Sequence, residues 1–255
     1  DVPPTDDEES VLGDADDDGE EDLDEAMDEG PSETAATEPV EDHSTVQLRE
    51  HTAAVYAVAV NSANPAQFAT GGGDDVALLW QADAAAPRCR LTGHSDTVSS
   101  LAFSSDGTLL ATAGLDGTVR VWSTATGEAV VVLEGPTQGV NWVCWHARGM
   151  VLLAGSEDAT AWMWKLPEGS VMQIFSAHSA SVSYGGFVNQ GRSVLTGSED
   201  GTVRVWNPRA GTVEHTIHAG SPHEPLAVTC LQAHPAQPTF LFGAEDGRVK
   251  LGHAE

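Results

Sequence analysis

The sequence predicts an all-β protein built from repeated small sheets, and three observations carry that prediction. Short runs rich in β-branched and apolar residues recur, among them "TVSSLAFS", "LLATAG", "TVRVW" and "AVVVLEG", each bounded by turn-forming stretches such as "SSDG", "LDG" and "ATG". Tryptophan recurs in register, with Trp80, Trp122, Trp164 and Trp206 each 42 residues apart. An aspartate stands six residues before each of them, at Asp74, Asp116, Asp158 and Asp200. A period of this length with four short strands per unit means stacked units, each burying its faces against its neighbours.

The chain opens differently. Residues 1–43 hold 20 acidic side chains and no Lys or Arg, whereas the rest holds 19 acidic and 11 basic ones. With few apolar side chains and one sign of charge, 1–43 cannot bury enough surface to offset chain entropy; a disordered acidic tail is expected there, ahead of a repeat domain over 44–255. A net charge of −28 excludes direct nucleic-acid and anionic-membrane partners and favours a basic protein segment. Three scattered cysteines, Cys89, Cys144 and Cys230, form no CxxC pair and suit reduced thiols in a cytoplasmic or also nuclear setting. No apolar run reaches the roughly 18 residues of a helical membrane span.

A histidine opens most units, at His51, His94, His178 and His223, and a fifth unit carries Asp246 in "AEDGRVKLG". With this His, Asp and Trp register the sequence resembles the WD40 family of β-propellers over residues 45–255. It departs from the family in that Gln81, Ser123, Lys165 and Asn207, rather than Asp, follow the tryptophans. The resemblance implies a buried hydrogen-bonded set in each blade: His51, Thr70, Asp74 and Trp80, then His94, Thr112, Asp116 and Trp122, then His178, Thr196, Asp200 and Trp206. Buried His and Asp need mutual partners, so these are read as structural staples and not as catalytic groups. In the third unit Asp158 and Trp164 remain, but Pro136 and Ala154 replace the His and Thr. The fifth unit has Gly252 where Trp is expected. About five blades are therefore present, and a chain truncated from seven or eight is expected, with a monomer once the ring is complete. "TVQLR", residues 45–49, is expected to be an outer strand completing the last blade.

No motif supports catalysis. "GGGDD", 71–75, lacks the Lys-Ser/Thr of a phosphate loop, and neither GxSxG nor HExxH occurs. His215, His218 and His223 have a loose metal-like spacing but straddle a strand and the next leading loop. A non-enzymatic chain without metal or cofactor is expected. By resemblance, the residue before each turn Asp faces the partner-binding rim; Glu157, Glu199 and Glu245 then form an acidic arc. Tyr56, Ser99, Asn141 and Ser183, at the start of each innermost strand, join it.

The third unit also carries surplus tryptophan. Trp145 falls where Phe103 and Phe187 stand, as core. Trp142 falls where Ser100 and Tyr184 stand; it is either an apolar filler for the broken polar set or an anchor on the rim. Trp162 takes the place of Arg120 and Arg204 and is expected to pack on the next blade. "VNWVCWHARGMVLLAGSEDATAWMWKLPEG", behind an acidic tail, resembles the angio-associated migratory cell protein family, whose fungal relatives are dedicated chaperones of a ribosomal protein. The resemblance implies capture of a basic segment of a large-subunit ribosomal protein on the acidic rim. The alternative it implies is a signalling or ubiquitin-ligase adaptor linked to cell migration.

Overall fold

The computed structural model describes residues 47–221, 225–234 and 236–254; the stretch 1–43 and His223 lie outside the described residues. Five antiparallel sheets follow one another along the chain. Blade one is β1 (Val55–Val60), β2 (Gln67–Gly72), β3 (Ala77–Gln81) and β4 (Cys89–Leu91). Blade two is β5 (Val98–Phe103), β6 (Leu109–Gly114), β7 (Val119–Ser123) and β8 (Ala129–Leu133). Blade three is β9 (Val140–Trp145), β10 (Val151–Ser156), β11 (Ala161–Lys165) and β12 (Ser170–Phe175). Blade four is β13 (Val182–Val188), β14 (Ser193–Ser198), β15 (Thr202–Asn207) and β16 (Thr212–His218). Blade five has three strands, β17 (Val228–Ala233), β18 (Thr239–Ala244) and β19 (Val249–His253).

The strands of each blade run in sequence order from the innermost outward, and β1, β5, β9, β13 and β17 pack successively on one another. Middle strands such as β14, "SVLTGS", are buried at all six positions, because a blade covers both their faces. The first residue of the innermost strand shows what this stacking does: Val98, Val140, Val182 and Val228 are at most 2% exposed, whereas Val55, with no blade before it among the described residues, is 49% exposed. Fully burying one such valine contributes roughly 1.5–3 kcal/mol.

The innermost strands share an irregularity that matters for the site. Pairing slips by one residue between Val55 and Ala57, Val98 and Ser100, Val182 and Tyr184, and Val228 and Cys230. In blade three, Trp142 pairs with Gly155 and Val140 with Ser156, which leaves Asn141 as the extra residue. Each bulge re-aims one side chain at the same end of the blade.

Two expectations are corrected. Residues 47–50 form no strand. The Glu50 carbonyl accepts a hydrogen bond from Arg90 at 3.1 Å, which ties this segment to β4 of blade one. Trp162 packs within its own blade rather than on the next. It stacks on Trp164 with centroids 6.0 Å apart and lies over Gly135, and its indole N–H donates to Thr160 Oγ1 at 2.8 Å. Arg120 covers Gly93 in blade two in the same way.

In blade five Gly252 pairs with Phe240, whose ring fills the space a side chain at 252 would take. The aromatic bulk has moved one strand inward.

Candidate functional site

The blade turns are built around the repeated aspartates. In blade four, Trp206 Nε1–H donates to Thr196 Oγ1 at 2.7 Å, Thr196 Oγ1 meets His178 Nε2 at 2.7 Å, and His178 Nδ1 meets Asp200 Oδ2 at 2.8 Å. One proton arrangement satisfies all four groups. The carboxylate can only accept, so His178 carries its proton on Nδ1, and Nε2 accepts from the threonine hydroxyl, whose oxygen accepts from the indole. Blade two repeats this with His94 to Asp116 at 3.0 Å, His94 to Thr112 at 2.7 Å and Trp122 to Thr112 at 3.0 Å. Blade one repeats it with His51 to Asp74 and to Thr70, both at 2.8 Å, and Trp80 to Thr70 at 2.9 Å.

Each aspartate also accepts from backbone N–H groups, from Thr52 at Asp74, from Ser95 and Thr118 at Asp116, and from Ser179 and Thr202 at Asp200. Burial pushes the Asp200 carboxyl up, but hydrogen bonds from His178 and Thr202 outweigh it and hold the carboxyl well below the usual range. Asp74 and Asp116 are lowered in the same manner, burial being overcome by hydrogen bonds. Burial lowers His94 below its ordinary value against the pull of Asp116. Such a set fixes two loops and a turn; its histidine is committed on both nitrogens and has no free position for a substrate.

Blade three keeps half of this. Asp158 accepts from Thr137 N–H at 2.7 Å and from Thr160, and is likewise lowered, with burial opposed mainly by the Thr160 hydroxyl. Beside Ala154, the Trp164 indole N–H has no partner.

Trp142 is held in the seam between blades three and four. An added methyl at Gly155 or Gly185 would come within 2.3 Å of its ring, so the two glycines form a slot for it. Its indole N–H donates to the Val182 carbonyl at 3.0 Å. The ring therefore lies across the seam, against Gly155 of blade three and Gly185 of blade four. Trp145 is tied down too, donating to the Ala102 carbonyl at 2.9 Å.

The bulge residues divide into bridges and exposed groups. Asn141 Nδ2 donates to Ser181 Oγ at 2.9 Å and lies 3.4 Å from the Val182 carbonyl, which bridges to blade four. Ser99 bridges blade two to the Val140 carbonyl. Tyr56 is 65% exposed, on the open side of blade one, with its ring edge over Gly73. Ser183 donates to Glu199 Oε1 at 3.0 Å.

Glu157, Glu199 and Glu245 are all exposed, one at each turn of three consecutive blades. Their backbone N–H groups bond to Gly139, Ser181 and Ala227 carbonyls, so the same turn geometry presents each carboxylate. Glu199 and Glu245 line one open cleft of about 500 Å³ together with Ser183, Tyr184, Pro225 and Thr229. Glu157 lies one blade away, with its carboxylate over Gly139. Thr229 and Pro225 were not anticipated from sequence. The signal was present in Val228, which takes the place of Val182, but the fifth unit is out of step: Asp246 lies 46 residues after Asp200 instead of 42.

The sequence model described as WD domain, G-beta repeat matches residues 43–81, 86–123, 127–165 and 169–207, more than half of the chain. The chain is also similar to an uncharacterized WD repeat-containing protein of Schizosaccharomyces pombe, 33% identical over 97 residues, which is 35% of this chain and 24% of that protein's length.

Proposed function

The chain belongs to the WD40-repeat family, and from that premise we propose that it is a non-enzymatic protein-binding scaffold that receives a basic segment on the rim formed by Glu157, Glu199 and Glu245. The finer reading is a chaperone of the kind the angio-associated migratory cell protein resemblance implies, holding a basic segment of a large-subunit ribosomal protein until assembly. The observation that carries the reading is the cleft between blades four and five. Two exposed carboxylates, Glu199 and Glu245, share one opening of about 500 Å³ beside the Ser183 and Thr229 positions. An extended Lys or Arg side chain fits such an opening, its stem against Tyr184 and Pro225 and its cation between the carboxylates. The negative potential of the whole chain steers a basic segment toward it.

The test is titration of the full chain with N-terminal segments of large-subunit ribosomal proteins and with scrambled peptides of equal charge. The reading expects one segment to bind at 1:1 stoichiometry at least tenfold more tightly than its scrambled form. Equal affinity for all basic peptides would remove the chaperone specificity. No binding at all would remove the rim.

A further inference from the structure

A basic patch lies at the end of the blades away from the glutamate rim, and the rim reading makes no use of it. Most basic side chains are engaged. Arg49 donates to Gln47, Arg88 to the Thr124 and Ala125 carbonyls, Arg90 to the Glu50 carbonyl, and Lys250 to the His218 and Ala219 carbonyls. Lys165 pairs with Glu168 and Arg248 with Asp246. Arg120 and Arg204 are half-buried in their blades. The three that remain, Arg148, Arg192 and Arg209, are all exposed. The hydrogen bonds they donate come from backbone N–H groups, to His146 Nδ1, the Asn189 carbonyl and Asn207 Oδ1, so none of their guanidinium groups has a partner among the described residues.

These three cations gather at one place. Arg148 stands on the β9–β10 turn, Arg192 at the end of the β13–β14 turn, and Arg209 on the β15–β16 turn. His146 ties the first two turns together. Its ring meets Phe187 edge-on with centroids 4.9 Å apart, and its Nε2 fills the space a side chain at Gly191 would take. Burial, and then the charge of Arg148, lower this imidazole below its ordinary value. Arg192 and Arg209 line one cleft of about 410 Å³ with Gln190, Asn207 and Pro208, and no acidic residue lines it. Glu214 stands close by, but its carboxylate accepts from Asn207 Nδ2 at 3.1 Å and from neither arginine. The other four-stranded blades place acids at this end. Asp83 accompanies Arg88 in blade one, Asp106 and Glu128 occupy both turns of blade two, and Glu168 faces Lys165 in blade three. Blade four has two arginines and no acid in these turns.

We propose that this cleft binds a phosphate monoester carried on a serine or threonine side chain of a partner segment. Arginine presents a planar fork of N–H donors that matches phosphate oxygens, and a phosphorylated residue brings close to two negative charges at one point. The charge of the whole chain selects among anions. At −28 it repels a long polyanion, each of whose charges feels it. Over a screening length of about 8 Å at physiological salt, the two arginines dominate what a compact dianion feels in the cleft. A lone carboxylate brings half that charge. The cleft is larger than a phosphate group, which leaves room for the side chain that carries it.

The probe is a capped ten-residue Gly/Ser peptide with one central phosphoserine, titrated into the full chain and followed by fluorescence anisotropy. The same peptide without phosphate and inorganic phosphate as competitor form the other arms. The inference expects saturable 1:1 binding, at least tenfold weaker binding without the phosphate, and at least tenfold weaker binding in the Arg192→Gln, Arg209→Gln double variant. An Arg49→Gln, Arg248→Gln double variant makes the same charge change away from the cleft and is expected to stay within twofold. All four side chains are exposed, so melting is expected to be unchanged in both proteins. Inorganic phosphate is expected to compete at least tenfold less well than the phosphopeptide. No binding, equal binding of the unphosphorylated peptide, or equal effects of the two double variants would overturn the inference. Competition by inorganic phosphate as strong as by the phosphopeptide would overturn it too, by reducing the cleft to a site for the free anion.

Discussion

Replacing Thr196 with valine removes one hydroxyl and leaves the volume of the site almost unchanged. Thr196 is 0% exposed, and its oxygen is the acceptor for Trp206 Nε1 and the partner of His178 Nε2, both at 2.7 Å. The variant strands a buried indole N–H and a buried imidazole nitrogen. Each unmet group costs about 1–3 kcal/mol, so the pair costs about 2–6 kcal/mol, offset by roughly 1 kcal/mol for the added apolar burial. A loss of about 3 kcal/mol is expected, which corresponds to about 6–12 °C in melting temperature for a domain of this size. Urea unfolding followed by tryptophan fluorescence measures it, through a lower midpoint at unchanged slope. A change below about 1 kcal/mol would refute the reasoning, since the relay from Trp206 to Asp200 would then add nothing beyond shape.

Further outcomes follow from the same geometry. Ala154→Thr restores an acceptor beside the unpaired Trp164 indole and is expected to stabilise by about 1 kcal/mol in the same assay. Ala159 sits at φ 67°, where blades two, four and five have Gly117, Gly201 and Gly247. Ala159→Gly relieves that left-handed strain, and a gain of about 0.5–1 kcal/mol is expected from the unfolding midpoint. Acid weakens the fold in two stages. His94 is lowered in the folded chain, so its contribution is complete above about 6.5 and falls as pH drops below that value, because the unfolded chain takes up the proton first. Asp74, Asp116, Asp158 and Asp200 are lowered too, so their contribution is present above about 3.8 and is lost as pH falls through their folded values. Unfolding midpoints measured from pH 8 to pH 2 are expected to decline in that order; a midpoint that rises on acidification to pH 5 contradicts the assignment.

The repeating chemistry was legible because it is local and periodic. The 42-residue register placed His94, Thr112, Asp116 and Trp122 in one blade, and their hydrogen bonds join them there. What crosses between blades was less legible. Trp142 stood out of pattern in the sequence, but its slot is made by Gly155 on its own blade and Gly185 on the next, and nothing in one unit announces a pairing of two glycines across a seam. Trp162 is expected from sequence to pack on the next blade, but it stacks on Trp164 and covers Gly135, as Arg120 covers Gly93 in blade two. The exchange of Phe240 for a tryptophan opposite Gly252 has the same character, because volume is conserved across strands and not along them. The shared cleft of Glu199 and Glu245 depends on how blade five abuts blade four, while the sequence shows only that each follows a turn.

The proposal that the rim receives a basic segment rests most directly on Glu199 and Glu245. Fluorescence anisotropy of a ten-residue Lys/Arg-rich peptide, titrated at low and at physiological ionic strength, measures it. The account predicts binding that weakens steeply with salt, and at least about tenfold weaker binding with a flattened salt dependence in the Glu199→Lys, Glu245→Lys double variant. Equal affinity and equal salt dependence in the two proteins would contradict it.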